Sequence, residues 1–315
     1  MASDPVQPTA DGRGGGHAVL PRARRRLAAA SVYIPLLPAV GVVAALTAFP
    51  YCLNLYLSFT HWRGGYDPPV LTGIANFRFL LTYPNFWNSA ILSGVFTGVA
   101  VVFEVLLGLG LALLLNRNLP GTSFFRTALI IPMVMTPAVS ALTWKTLVYD
   151  PNWGLLNYVV SLLGGGRHAW LAESHLAMAT VIAMDVWHWT PFTTLVLLAG
   201  LTSLPRELYE AAAIDRTNAW QRLWHITLPL LAPVLLVATM FRTMDAFRTF
   251  DVIFIMTGGG PGRVTETLPL LIYQIVFSFS DFGAGAAVGM LMLLVAIGIV
   301  LAFSWALARV RAATS

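Results

Sequence analysis

Six acids and arginines stand inside tracts too apolar to hydrate them: Glu104, Asp185, Arg242, Asp245, Arg248 and Asp251. An ionised group in a bilayer costs several kcal/mol unless it is paired or faces a water-filled cavity, so each is a candidate for function. Arg242, Asp245, Arg248 and Asp251 recur every three residues, a spacing that keeps opposite charges within reach along a helical face. Two chemistries fit this row: an internal ladder of ion pairs, or donors and acceptors that face a passage and bind hydroxyl groups. In "DVWHWTPF", Asp185 and Trp189 lie one turn apart with Trp187 and Phe192 beside them. A carboxylate next to an aromatic plane suits a sugar, whose C–H face stacks while its hydroxyls donate. His188 has no second His, Cys or carboxylate at metal-ligand spacing, so it is expected to donate a buried hydrogen bond and no metal site is expected. No Walker A loop, nucleophile elbow or H-E-x-x-H motif occurs. Neither nucleotide binding nor catalysis is therefore expected on this chain.

The elements that must position these groups are membrane helices. The 315-residue chain is 57% hydrophobic and 10% charged, against about 25% charged residues in soluble domains. Apolar tracts at Leu27–Phe59, Phe86–Leu115, Phe124–Leu147, Leu176–Leu201, Ile226–Met256 and Phe282–Ala308 reach the ~20 helical residues that cross a ~30 Å hydrocarbon core. The expected fold class is an all-α integral membrane protein with about six transmembrane helices. Residues 1–26, rich in Gly, Pro and Arg and ending in "RARRR", are expected to form a disordered cytoplasmic tail ahead of a transmembrane domain over 27–311. The first tract is longer than the ~7–15-residue core of a cleavable signal peptide, so the arginines before it act as an orientation signal. With the N-terminus inside, an even number of spans returns the C-terminus to the cytoplasm. Arg117, Arg126, Arg206, Arg216, Arg222, Arg309 and Arg311 then fall on the cytoplasmic side, as the positive-inside bias requires.

The expected external loops are Thr60–Asn85, Val148–Glu173 and the turn "TGGGPG", with Trp62, Trp153 and Trp170 near the interfaces. The formal charge of +5 is spread beside apolar tracts rather than gathered in one patch, which argues against a nucleic-acid partner. A single cysteine, Cys52, excludes a disulfide framework.

One polar island interrupts the pattern. "LPRELYEAAAIDRTNAWQRLWHITLPLLAP", from Leu204 to Pro233, lies on the cytoplasmic side between the fourth and fifth spans. Pro205 suits the first turn of a helix, and Glu207 and Glu210 favour its positive end. A short helix is expected from about Leu204, with Ala211 to Ala213 clearing space for another protein to approach. After the break at "DRTN", Asn218 and Gln221 resemble a capping box opening a second short helix, Ala219 to Thr227.

The stretch "EAAAIDRTNAWQRLWHITLP" resembles the cytoplasmic signature of importer permeases in the ABC transporter superfamily, Glu-Ala-Ala, then Gly after three residues, then Ile-x-Leu-Pro. Glu210, Ala211, Ala212, Asp215, Ile226, Leu228 and Pro229 match it. Arg216 stands where the family has glycine. Either the turn shifts to Asn218, which is the preferred reading, or Arg216 takes a different bend and offers its charge to a partner. "FRTMDAFRTFDVIFIMTGGGP", "TETLPLLIYQIVF" and "DFGAGAAVGM" resemble the carbohydrate-uptake branch, related to the maltose permease pair.

The resemblance implies that the island, about 204–228, is a coupling helix gripped by an ATPase subunit, with Glu210, Ala211, Ala212, Asp215, Arg216, Leu228 and Pro229 at the contact. It implies a heterodimer with a homologous second permease, two ATPase subunits that carry ATP and Mg, an extracytoplasmic sugar-binding protein, and a place in the cytoplasmic (inner) membrane with both termini in the cytoplasm. It also places Asp185, Trp187, Trp189, Phe192, Arg242, Asp245 and Thr249 at positions that contact substrate in the maltose permease, although several residue types differ. As a lone carboxylate in the second span, Glu104 is expected to pair with the partner permease rather than to relay protons, and the three-residue spacing assigns Arg248 and Asp251 to intramembrane ion pairs. The substrate is a sugar, with a di- or oligosaccharide expected. The alternatives are a glycerol-phosphate-type solute held by Arg242 or Arg248, and a self-sufficient secondary carrier, for which the internal repeats of that class are not evident.

Overall fold

The computed structural model describes residues 36–117 and 120–314. The expected tail, 1–26, and the start of the first span lie outside the described residues. Five helices are long and apolar enough to cross a membrane, or six if one sharply bent pair is counted as a span. This agrees with the all-α membrane architecture.

The chain divides into two units, residues 1–53 and 54–315. Described from residue 36, the first holds most of helix α1 (Leu37–Ser58), an apolar rod with Pro50 inside it. The second unit begins with the last turn of that helix. A two-residue hairpin, β1 (Thr60–His61) with β2 (Val70–Leu71), follows it, and then α2 (Ala75–Thr82). The buried Asn76 amide ties this entry together by donating to the Ser58 and Thr60 carbonyls at 2.9 and 2.8 Å.

Next come α3 (Pro84–Leu115), the bent pair α4 (Thr122–Val134) and α5 (Pro137–Thr143), α6 (Leu155–Leu162) and α7 (Ser174–Thr202). The island follows as α8 (Arg206–Ile214) and α9 (Ala219–Arg222). The rest is α10 (Leu228–Phe247), α11 (Asp251–Met256), α12 (Leu268–Tyr273) and α13 (Phe282–Thr314). Single π-helical turns continue α5, α9 and α12.

Two tracts read as single spans are broken. The third bends by 95° between Val134 and Pro137. There Thr136 caps α5 by accepting from the Val139 N–H at 3.4 Å, and Pro137 supplies a residue that has no N–H to orphan. The fifth ends at Phe247, and a fresh helix begins at Asp251.

Helices α3 and α7 form the central pair. Gly108 makes the approach possible, since a Cβ there would lie 2.9 Å from the Thr193 Cγ2. Three apolar clusters fill the bundle: one around Val101, Met184 and Ala246, a second around Leu80, Phe247 and Val288, and a third around Ala112, Leu197 and Leu231. Glu104 on α3 and Arg242 on α10 lie between stretches of the first and third clusters, and Asp185 on α7 lies among residues of the first.

Candidate functional site

Those three charged residues meet. Arg242 on α10 is 1% exposed, and its Nε and Nη2 donate to the two carboxylate oxygens of Glu104 on α3 at 2.6 and 2.7 Å. Its Nη2 also donates to Asp185 Oδ2 on α7 at 3.1 Å, and its Nη1 to Asp245 Oδ2 at 2.7 Å. One guanidinium thus joins three helices. The fork geometry, with two parallel bonds to one carboxylate, is the strong form of such pairing. The outer Asp245 oxygen, Oδ1, accepts from Arg248 Nη2 at 3.1 Å, and that arginine side chain is 77% exposed.

The sequence row therefore has three rungs rather than four. Arg248 sits at the C-terminal cap of α10, and among the described residues Asp251, in the next helix, pairs with no cation. Glu104, expected to reach a second permease, is instead consumed within the chain by Arg242. Its partner lies 138 positions away, a distance at which no local period carries a signal.

Trp189 lies beside this cluster, with the Arg242 Cζ 4.6 Å from its ring centroid, inside cation–π range. Two cavities meet there. One, of about 230 Å³, is lined by Asp185, Trp189, Asp245, Arg248, Thr249 and Asp251 among others. The second, of about 300 Å³, is lined by Trp189, Phe192, Phe241, Arg242, Asp245 and Arg248 with Met244. The structure thus brings together Asp185, Trp189, Phe192, Arg242, Asp245 and Thr249. Within the first cavity's lining, the buried Asp185 keeps one oxygen, Oδ1, with no hydrogen-bond partner.

Two expectations fail here. Trp187 turns to another side of α7 and packs on Trp144 with ring centroids 5.3 Å apart, lining neither cavity. His188, expected to donate a buried hydrogen bond, is buried with its Nδ1 unpartnered.

The island is a helix, a turn and a helix. At the end of α8, the Thr217 N–H donates to the Ala212 carbonyl and the Arg216 N–H to the Ala213 carbonyl, both at 3.1 Å. This is the two-bond closure that satisfies orphan carbonyls when the residue after the cap is left-handed. That residue is Arg216, with φ of +53°. The preferred shift to Asn218 does not occur, because Asn218 (φ −79°, ψ 169°) is already engaged as the N-cap of α9. There it forms the expected capping box: its Oδ1 accepts from the Gln221 N–H at 2.8 Å, and the Gln221 Oε1 accepts from the Asn218 N–H at 2.9 Å.

Two boundaries also move. Pro205 caps α8 rather than entering its first turn, and the second helix runs without a break from Ala219 to Phe247, through Leu228 and Pro229. Glu210, Ala211, Asp215 and Arg216 are exposed, whereas Ala212 is buried against its own chain. Its methyl group therefore cannot set the distance of an outside partner. The residue that sequence reasoning missed is Ile214, an aliphatic side chain 82% exposed at the end of α8.

A bundle of apolar helices with a polar helix–turn–helix between two spans and a charged, aromatic-lined interior is an arrangement that fits a membrane permease. Residues 77–312 match the binding-protein-dependent transport system inner membrane component family, and the chain belongs to it. It is 36% identical over 271 residues to the trehalose/maltose transport system permease protein MalF of Thermococcus litoralis, across 86% of this chain and 91% of that protein. It is 34% identical over 273 residues to the trehalose transport system permease protein SugA of Mycobacterium tuberculosis, across 86% of this chain and 85% of that one. These likenesses make it an ABC transporter permease of the carbohydrate-uptake branch. In the crystal structure of a bacterial ABC transporter involved in the import of the acidic polysaccharide alginate, one chain shares the fold with a TM-score of 0.79 at 21% identity, over 92% of this chain and 99% of that one.

Proposed function

We propose that this chain forms half of the translocation pathway for a neutral di- or oligosaccharide, paired with a homologous permease, supplied by an extracytoplasmic binding protein and driven by two ATPase subunits that carry ATP and Mg. The observation that carries the substrate reading is Asp185, whose Oδ1 has no hydrogen-bond donor, in the lining of a cavity shared with Trp189 and Asp245. A buried acceptor with no donor is costly until a hydroxyl group arrives, and the indole offers an apolar plane to the sugar's C–H face.

Charge weighs against the glycerol-phosphate alternative. Three carboxyl groups, Glu104, Asp185 and Asp245, face two guanidinium groups, and that of Arg242 is committed to all three. With Arg248 also held by Asp245, neither guanidinium is free to meet an incoming anion. On the same reading the island couples ATPase closure to the spans, with Glu210, Ala211, Asp215 and Arg216 on the exposed side, Ala212 bracing the helix from within, and Leu228 and Pro229 passing motion into α10. The test is ATP-dependent uptake by the complex reconstituted in vesicles, offered labelled neutral oligosaccharides and a labelled glycerol phosphodiester. Uptake of a neutral sugar that falls when Asp185 becomes Ala is expected. Uptake of the phosphodiester alone would reject the assignment.

A further inference from the structure

Helix α6 has its polarity reversed for a loop in water. Leu155, Tyr158, Val159 and Leu162 are exposed, and their i, i+3, i+4, i+7 spacing is the pattern a soluble helix turns toward its core. Exposed Trp153 and Leu163 extend that face at either end. The amide-bearing residue of the helix, Asn157, points the other way and is 3% exposed.

Its hydrogen bonds explain the inversion. Asn157 Nδ2 donates to the Pro151 and His168 carbonyls at 3.1 and 2.9 Å, and its Oδ1 accepts from the His168 N–H at 3.0 Å and from Trp170 Nε1 at 2.9 Å. The entry is equally fixed, since a side chain at Gly154 would collide with the Asp150 carbonyl. At the far side Glu173 accepts from the Ala169 N–H at 2.8 Å. That bond, with the nearby imidazoles of His168 and His175, holds its carboxyl below the usual range. The apolar face is therefore presented outward by a braced scaffold, and rolling it inward would cost the Asn157 bonds.

We propose that α6 lies in the membrane interface at the Val148–Ser174 end of the bundle, with its apolar face in contact with lipid. The segment leaves one apolar helix at Val148 and enters the next at Ser174, so it lies next to the bilayer surface. Trp153 and Tyr158 are of the types that settle at headgroup depth, and exposed Arg167 in the same loop suits the phosphate level. A contiguous apolar stripe of this kind facing water would be anomalous for a folded surface.

The test uses the chain assembled with the subunits it purifies with, in phosphatidylcholine–phosphatidylglycerol vesicles. Cys52, which is exposed, is replaced by Ser, and a nitroxide is attached at Tyr158→Cys or, separately, Leu162→Cys. Collision with oxygen, which dissolves in lipid, is expected to exceed collision with a water-soluble nickel chelate several-fold at both sites. Dominant nickel collisions would place the helix in water, and low collision with both would mean that a protein surface covers it. Either outcome overturns the proposal. Quenching by brominated lipid in the native chain, compared with Trp153→Phe, reads the same face without a label, and loss of a quenched component in the variant is the expected result.

Discussion

The charge cluster in the spans and the island between them are both polar insertions in an apolar chain, yet they are held in opposite ways. Around Arg242 one guanidinium is held by carboxylates from three helices, so its geometry is over-determined. In the island the turn is fixed by backbone bonds, while the Glu210, Asp215 and Arg216 side chains are exposed. Burial without water makes pairing obligatory in the first case. Exposure leaves the second free to offer its surface to another molecule. A charged residue in the spans is therefore first a structural commitment, and Asp185 Oδ1 stands out as the one carboxylate oxygen of the cluster without a partner.

The sharpest way to break this contrast is Arg242→Met. It strands Glu104 and Asp185, both fully buried, and removing one partner from a buried charge network costs about 3–5 kcal/mol. Loss of assembled complex, or a large fall in melting temperature in detergent, is expected. Adding Glu104→Gln and Asp185→Asn to the same chain should restore part of the stability. A single variant that melts at the native temperature would mean that the cluster is not held as described.

A smaller effect separates two neighbouring tryptophans. Trp189 borders both cavities and Trp187 borders neither. Trp189→Ala is expected to raise the apparent KM for sugar uptake about tenfold, equivalent to ~1.4 kcal/mol, whereas Trp187→Ala leaves it near the native value. Equal effects on KM would remove Trp189's special place.

The island is probed by Ile214→Asp. Exposed substitutions usually stay within about ±0.5 kcal/mol of native stability, so the melting temperature should hold while co-purification of the ATPase falls several-fold. Retained co-purification would show that α8 is not docked through this end.

Legibility in the sequence followed the range of the forces involved. Charges at Asp185, Arg242 and Asp245 stood out because apolar tracts surround them, and the Asn218–Gln221 capping box because its bonds span three residues. The bend before Pro137 was signalled by Thr136 and Pro137, a cap followed by a helix-starting proline, but length and hydropathy alone read straight across it. Glu104 could not be assigned its partner, because helix-to-helix pairing leaves no local period. The end of α10 at Phe247 carries neither glycine nor proline, so the apolar run into Met256 concealed it. Ala212 and Ala211 read alike in sequence, and only the fold shows that one faces inward and the other outward.

The smallest expected effect concerns the turn itself. Arg216 adopts φ of +53°, a region where a side chain's Cβ crowds the following carbonyl at a cost of roughly 1–2 kcal/mol, and which glycine enters freely. Its guanidinium is exposed and forms no ion pair among the described residues, so nothing within the chain offsets the strain. Arg216→Gly should therefore keep the two carbonyl bonds of the α8 cap and relieve the turn. Part of the gain is cancelled, because glycine also adds freedom to the unfolded chain. The net expectation is a stabilisation of up to about 1 kcal/mol, seen as slower hydrogen exchange at the Arg216-position and Thr217 amides, with sugar uptake unchanged. The alternative role, an anchor whose charge is needed by the ATPase, predicts the same firmer amides but lost co-purification and uptake. Arg216→Lys separates the two further, since it keeps the charge and the strain together and should restore binding only if the charge is what the partner holds.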